Sequence, residues 1–381
     1  MTIVIPTRKK GIRDKLLEID WLFVALVCAV ATVGVAALYS VADGSWTPWA
    51  GKHAARFSIA VVMLAAIAVI GLRFWMVIAY PVYFAVLGLL ALVPFVGAKN
   101  MGAQRWLEYG GLQLQPSELM KIALVLALAR YFHGLRIDQV RNPLRLIPAL
   151  LMIAAPVALV FQQPDLGTAI LIAATGAVMI FASGVSWWLV LLGAGGLVGA
   201  GIGAYRLGIL KEYQINRILT FLDPSRDPLG QGYHLLQSKI ALGSAGIEGK
   251  GFLQGTQSHL KFLPEMHTDF VFTIFGEEFG LIGALVLLAL YLSIFWLGLR
   301  VAMRAKSHFG RLVTVGVCAT FIMYVLINTG MVMGLAPVVG VPLPLVSYGG
   351  TVMMTIMAGF GLVMSTHVHR DQDTLRSGEL L

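Results

Sequence analysis

At 381 residues, the chain gives 58% of its positions to hydrophobic side chains and 12% to charged ones, with a formal net charge of +9 and a mean hydropathy of +0.82. So few polar groups cannot cover a water-facing surface, which excludes a soluble globular protein. Backbone inside a bilayer must satisfy its own hydrogen bonds, and apolar runs of roughly 18 to 28 residues suit helices rather than membrane strands of about ten. The expected fold class is an all-α integral membrane protein, a polytopic bundle of about ten transmembrane helices with one long extracytoplasmic loop.

The chain opens with a basic stretch (Arg8, Lys9, Lys10, Arg13, Lys15). The apolar run that follows is too long for a signal-peptide core and has no obvious small-residue cleavage site, so it reads as a retained first helix. Apolar runs between charge clusters and Pro/Gly breaks predict helices over 20–42, 54–71, 74–96, 117–134, 145–161, 166–183, 187–205, 270–299, 311–335 and 344–366. With the N-terminus inside, 16 of the 28 Lys and Arg residues fall in cytoplasmic segments and seven in the long loop 206–268, which is exempt from the charge rule because long loops translocate regardless. Both termini are therefore expected in the cytoplasm, with loop 206–268 outside. That loop is read as part of a single transmembrane domain spanning 1–381. It mixes apolar anchors such as Ile218, Phe221, Leu236 and Phe252 with polar groups, a pattern for segments lying on a bilayer surface.

Three of the helices that run inward from the outer side carry an acid in or beside their first turn: Glu118, Asp165 and Asp269. An acid there interacts favourably with the helix dipole, so capping alone is one reading. The other is convergence on one outward-facing cavity, because ionisable groups near hydrocarbon are costly and usually face a cavity or a partner. Lys121 follows Glu118 by three residues, a spacing for an ion pair. Below Asp269, Thr273, Gly276, Gly280 and Gly283 return to its side of the helix, a small and polar stripe that either packs against a neighbour or lines a passage. Glu277 and Glu278 lie two turns below the same acid, as pathway residues or as partners of another helix. Outer segments supply Arg105, Trp106, Lys211, Arg217, Arg226, Lys239, Lys250, Lys261, His234, His259 and His267, which serve either as site donors or as a rim facing lipid headgroups.

Cys28 and Cys318 sit in the middle of apolar runs and read as buried thiols without chemistry. No dinucleotide fingerprint, phosphate loop or zinc motif is present, and no nucleic-acid partner is expected. No convincing internal repeat appears, which disfavours transporters built from duplicated halves. Composition and spacing leave open an enzyme on a lipid-linked substrate, a transporter and a channel.

The runs Gln104-Arg105-Trp106-Leu107, Gln115-Pro116-Ser117-Glu118, Gln163-Pro164-Asp165-Leu166-Gly167-Thr168 and Arg217 through Pro224 resemble those of the SEDS family (shape, elongation, division, sporulation). So do Gly230-Gln231-Gly232-Tyr233, Gln237-Ser238-Lys239-Ile240-Ala241 and Pro342 through Gly350. The run from Gly249 to Ser258, leading into Phe262-Leu263-Pro264-Glu265 and His267-Thr268-Asp269-Phe270, is similar to the RodA branch. The resemblance spans nearly the whole chain.

It implies a glycosyltransferase that polymerises lipid II on the outer side of the bacterial plasma (inner) membrane during cell elongation. It also implies Asp269 as catalytic general base, with Lys121, Arg105, Trp106, Glu118, Asp165, Arg217, Lys239, His267 and Thr268 as substrate-binding candidates. A divalent cation, Mg2+ or Mn2+, is implied as cofactor, its site unknown, with Asp165 and Glu118 as candidate ligands. The implied partners are lipid II, the nascent lipid-linked glycan, a class B penicillin-binding protein acting as transpeptidase, and other membrane proteins of the elongation machinery. A lipid II flippase and a non-catalytic scaffold are the alternative readings.

Overall fold

The computed structural model describes residues 11–100, 103–109, 112–140, 142–208, 212–227, 230–256 and 266–372. The sequence readings at Arg8, Lys9, Lys10, Arg141, Lys211, His259, Lys261 and Arg376, and at the motif residues 257–265, fall outside these. A short helix α1 (Ile12–Leu17) leads into α2 (Trp21–Val41), α3 (Ala50–Val69) and α4 (Leu72–Val96). After a three-stranded sheet come α5 (Pro116–His133), the short α6 (Ile137–Val140), α7 (Ile147–Gln162), α8 (Leu166–Ala182) and α9 (Trp187–Arg206). Within the predicted long loop lie α10 (Glu212–Leu222) and α11 (Gln231–Ser244), followed by α12 (Val271–Arg304), α13 (His308–Met333) and α14 (Gly350–Val368).

Each of the ten predicted apolar segments coincides with a helix. Among the described residues, seven helices are long and apolar enough to cross a membrane, α2, α3, α4, the one ending at Gln162, α12, α13 and α14, while α8 is a shorter apolar helix. The chain is a polytopic helical membrane protein. α13 and α14 form its interior, with Phe321, Tyr324, Met357 and Phe360 all at most 1% exposed.

The sheet was not anticipated. Strands β1 (Ala98–Asn100), β2 (Ala103–Tyr109) and β3 (Leu112–Leu114) pair antiparallel in that order, with Ala98 opposite Trp106 and Leu107 opposite Leu114. It occupies the connection from α4 to α5 and projects Arg105 towards the α7–α8 turn.

Prolines inside helices explain several interhelical contacts. A proline has no N–H, so the carbonyl four residues earlier loses its helical donor. Pro81 frees the Val77 carbonyl, which accepts from the Arg130 guanidinium at 2.8 Å; Pro94 frees that of Leu90, which accepts from the Gln163 amide at 3.0 Å; Pro156 frees that of Met152, which accepts from the Tyr83 hydroxyl at 2.9 Å. In each case a neighbouring helix or its terminal residue supplies the missing donor, as the lipid interior demands.

Two predictions of continuous helix are corrected. α12 is interrupted at Gly280, whose φ of 64° and ψ of −161° are open essentially to glycine alone. The freed backbone groups bond to the segment after α11: Lys250 and Gly251 amides donate to the Glu277 and Glu278 carbonyls at 3.0 Å, and Leu281 and Ile282 amides donate to the Gly246 and Ile247 carbonyls at 3.1 and 3.2 Å. A Cβ on Gly280 would strike the Gly249 amide and the Ile247 carbonyl, so the crossing needs glycine.

The second correction concerns residues 344–349, predicted as the start of the last helix. They belong instead to a buried irregular segment: Pro342 and Pro344 bias the residues before them away from the helical region, Leu345 takes a φ of 65°, and the extended Gly349 defers the helix to Gly350. Irregular backbone at such depth is tolerated where protein surrounds it. The Pro344 carbonyl accepts from the Tyr291 hydroxyl at 2.6 Å, and the Leu345 carbonyl lies 2.9 Å from His53 Nε2.

The stripe below Asp269 is a packing surface. Thr273 and Ser238 of α11 share a hydrogen bond of 2.8 Å between hydroxyls, and Gly276 faces the Leu242 side chain. Glu277 accepts from Lys250 Nζ at 2.6 Å and from the Thr256 amide and hydroxyl at 3.0 and 2.9 Å, while Glu278 accepts from the Ser40 hydroxyl. Both acids are thus partners of neighbouring segments.

Candidate active site

The site grows from three helix entries and from α13. At the entry to α5, Pro116 occupies the first helical turn, where a missing amide hydrogen costs nothing. Glu118 then lies one turn from Lys121, and both are buried, at 3% and 0% exposure, depths at which neither charge survives alone. Lys121 Nζ donates to Glu118 Oε1 at 2.6 Å and also to the Tyr324 hydroxyl, which in turn donates to Glu118 Oε2 at 2.6 Å. The ammonium also lies 4.3 Å from the Tyr324 ring centroid. The ion pair expected from spacing is present, closed into a triangle by a tyrosine from α13.

At the entry to α8, Asp165 caps the helix. Its Oδ1 accepts from the Thr168 amide at 3.2 Å and its Oδ2 from the Thr168 hydroxyl at 3.0 Å. Gln115 Nε2 donates to the same Oδ2 at 3.4 Å, joining this acid to the start of α5. From β2, Arg105 donates to the Gln163 carbonyl at 3.2 Å and to that of Pro164, with its guanidinium 3.9 Å from Asp165. The capping reading therefore holds for Asp165, and Arg105 is there for a structural reason as well as an electrostatic one.

Asp269 sits in a turn just before α12, half-buried with His267 and Thr268. Three successive carbonyls of this turn are each taken by a donor from another part of the chain. The Tyr348 amide donates to His267 at 2.8 Å, the Ser347 hydroxyl to Thr268, and Asn328 Nδ2 to Asp269 at 2.9 Å. The His267 ring stacks on Trp49 with centroids 4.6 Å apart, and Arg56 lies over the Tyr348 ring at 4.9 Å. The turn is thus fixed through its backbone by donors from α13 and from the segment before α14.

Asn328 and Tyr324 are four residues apart on α13, so one helix face touches both the Asp269 turn and the Glu118–Lys121 pair. The structure thus draws together Glu118 with Lys121, Asp165 with Arg105, and Asp269 with His267 and Thr268. Trp106 is half-buried in β2 opposite Ala98, Arg217 is half-buried on α10, and Lys239 is exposed on α11 with its ammonium beside Gly334 at the end of α13. Neither Trp106 nor Lys239 is placed against an acid by a described contact.

Sequence reasoning did not single out Trp49, Arg56, Tyr324 or Asn328, and it met Ser347 only within the run Pro342 through Gly350, with no role assigned. The available signal was Tyr324 and Asn328 themselves, polar groups four apart in an otherwise apolar helix.

As metal ligands, Glu118 and Asp165 do not fit. Each carboxylate oxygen already accepts from an ammonium, hydroxyl, amide or phenol, and a divalent ion would have to displace them. Among the described residues, no group of three or more His, Cys, Asp and Glu side chains is arranged to hold a metal.

The architecture is that of a polytopic membrane protein whose polar interior is organised around a carboxylate at the mouth of a broken helix. A family profile described as "Cell cycle protein" (FtsW, RodA, SpoVE) matches residues 15–372, and the chain belongs to that family. It is 43% identical over 363 residues to the peptidoglycan glycosyltransferase MrdB of Escherichia coli K12, covering 95% of this chain and 96% of that one. Its fold is similar to a chain solved in a structural study of coordinated polymerization and crosslinking by a peptidoglycan synthase complex, with a TM-score of 0.81 and 34% identity over 93% of this chain and 99% of that one. It is also similar to the crystal structure of the rod shape determining protein RodA of Thermus thermophilus, with a TM-score of 0.69 and 29% identity over 93% and 98% of the two chains.

Proposed function

We propose that this chain is a peptidoglycan glycosyltransferase that polymerises lipid II into glycan strands during cell elongation, acting in cell-wall biogenesis and cell shape. The observation that carries the reading is the half-buried Asp269 turn, held at three consecutive carbonyls by donors from two other parts of the chain. A general base must be fixed within reach of the proton it removes.

In this proposal Asp269 takes the proton from the 4-hydroxyl of the acceptor sugar. The oxygen forms its bond to C1 of the second lipid-linked sugar with inversion, and the C1–O bond to undecaprenyl pyrophosphate breaks, the electron pair leaving with the pyrophosphate. Cations and donors are needed where that charge develops. Arg105, Arg217, Lys239 and Lys121 are assigned this task, with Trp106, His267 and Thr268 as further substrate contacts. Lys121 acts at depth, since Glu118 and Tyr324 already engage it. Glu118 holds Lys121, and Asp165 lies beside Arg105, rather than either acid touching sugar. The divalent cation expected from the family resemblance, Mg2+ or Mn2+, is kept as a requirement to be checked by chelation, with no ligands assigned.

The proposed setting is the bacterial inner membrane, with both termini cytoplasmic, the whole chain acting as one domain and loop 206–268 facing outward beside the active site. A class B penicillin-binding protein is the proposed transpeptidase partner, among other membrane proteins of the elongation machinery. The structural neighbour from a complex that couples polymerization with crosslinking supports this.

The test is glycan polymerisation from purified lipid II by the full-length chain with its partner, comparing wild type with Asp269→Ala and Asp269→Asn at matched folding. Polymer from wild type and none from either variant is expected. Undiminished polymer from the variants would remove Asp269 from the chemistry, and no polymer from an intact wild-type complex would favour lipid II transport or scaffolding.

A further inference from the structure

We infer that Asn328 is a positioning residue that sets where the Asp269 carboxylate stands, an inference that rests on the polymerase reading above. Asn328 lies on α13 and is fully buried. Its single NH2 group donates twice, to the Asp269 carbonyl at 2.9 Å and to the Val341 carbonyl at 2.7 Å. Those two carbonyls belong to opposite walls around the same acid. Gly340, next to Val341, approaches the carboxylate so closely that a Cβ added there would lie 3.3 Å from Asp269 Oδ2, and its φ of +70° suits glycine. One side chain therefore ties the backbone that carries the acid to the backbone that faces it.

Among common side chains, few can do this from one atom. A primary amide nitrogen has two hydrogens in a plane, whereas a hydroxyl has one and a carboxylate none. The other end of the Asn328 amide supports the same reading. Its Oδ1 is buried and accepts no hydrogen bond, an arrangement that lowers stability. What offsets it is the pair of donors and what they hold in place. Ser347 works alongside, accepting from the Leu343 amide at 2.8 Å and donating to the Thr268 carbonyl. Asn328 touches no substrate atom in this account, and its effect passes through Asp269.

The experiment is steady-state polymerisation of lipid II by the full-length chain with its partner, resolving kcat from KM and recording the thermal unfolding midpoint of each variant. Asn328→Leu and Asn328→Asp keep the approximate size of the side chain; the first removes both donors, and the second leaves at most one, the single hydrogen of a neutral acid. Misplacing a reacting group by about 1 Å costs on the order of 100-fold. A kcat lowered by about that factor with KM for lipid II within about threefold of wild type is the expected result, in variants that fold. Ser347→Ala, a smaller change, is expected to lower kcat by about tenfold in the same manner, and it carries the test if the Asn328 variants do not fold. Wild-type kcat in folded Asn328 variants, or a loss that appears equally in KM, overturns the inference. Asp269→Asn is run in parallel. Undiminished polymer from that variant would remove Asp269 from the chemistry, and no polymer from wild type would defeat the polymerase reading itself, whereas a silent Asp269→Asn beside Asn328 variants of wild-type kcat would defeat the positioning role alone.

Discussion

Lys250 and Glu277 meet twice, once through side chains at 2.6 Å and once through backbone, where the Lys250 amide donates to the Glu277 carbonyl at 3.0 Å. The acid is fully buried and the lysine side chain is about a quarter exposed, so the pair seals the segment after α11 onto the interruption of α12. Removing one partner leaves a buried charge uncompensated. Lys250→Met is expected to cost about 2 kcal/mol, less than a fully buried pair because water reaches the ammonium. Adding Glu277→Gln should return part of that loss, and a double-mutant cycle on thermal unfolding in detergent will read the coupling.

Gly280→Ala should be among the most damaging single-methyl changes in the chain. The side chain would need a backbone conformation that L residues rarely adopt, at a cost of about 1 to 3 kcal/mol before the collision with Gly249 and Ile247 is counted. Loss of folded protein on size exclusion is the expected outcome, and a normal yield with an unchanged unfolding midpoint would contradict the account of the break.

The proline contacts make a prediction with a sign. Tyr83→Phe leaves the Met152 carbonyl without a donor and should cost about 1 to 3 kcal/mol. Pro156→Ala returns the helical N–H to that carbonyl, so Tyr83→Phe should cost clearly less in the Pro156→Ala background. Equal costs in both backgrounds would mean that the tyrosine does not serve the carbonyl freed by the proline.

In the buried triangle, Lys121→Met strands Glu118 and removes a cation, so polymerisation should fall below detection while Tyr324→Phe, which deletes one hydroxyl, should retain activity lowered by roughly tenfold. Comparable activity of Lys121→Met and wild type would remove this cluster from the proposed mechanism.

One pH effect can be read outside the membrane. The Ser225 hydroxyl, with the Arg226 guanidinium 3.3 Å away, holds the half-exposed Asp223 carboxyl below the ordinary carboxylate value. A depressed folded value stabilises the turn above the unfolded value, and that contribution is lost as pH falls through the folded one. NMR titration should place the Asp223 midpoint below that of a free aspartate, and Ser225→Ala should raise it.

Much of the helical layout was legible because a membrane imposes a length on every apolar run. The Glu118–Lys121 pair was legible for a similar reason, since both members lie on one helix and their separation is a local property. Tyr324, which completes that pair, lies 203 residues from Lys121, and no local pattern announces such a meeting. Asp269 was legible as an acid before a helix, but Asn328, Ser347 and Tyr348, which hold it, come from elsewhere in the chain. The two misread helices failed where glycine and proline let the backbone leave the helix inside protein. Hydropathy alone treats that situation as continuous span.

The proline repairs also decide which parts of the bundle travel together. α4 receives a donor from α5 at Val77 and from the end of α7 at Leu90, and returns one to α7 through Tyr83. Sliding α7 along α4 by a single residue, about 1.5 Å, would unmate both of their shared bonds at once. These helices are laced in register like the two sides of a boot, so rearrangement during turnover must be taken up by elements outside the lacing. α9 is suited to that role, with Trp187, Trp188, Leu191 and Leu192 turned outward and all more than half exposed.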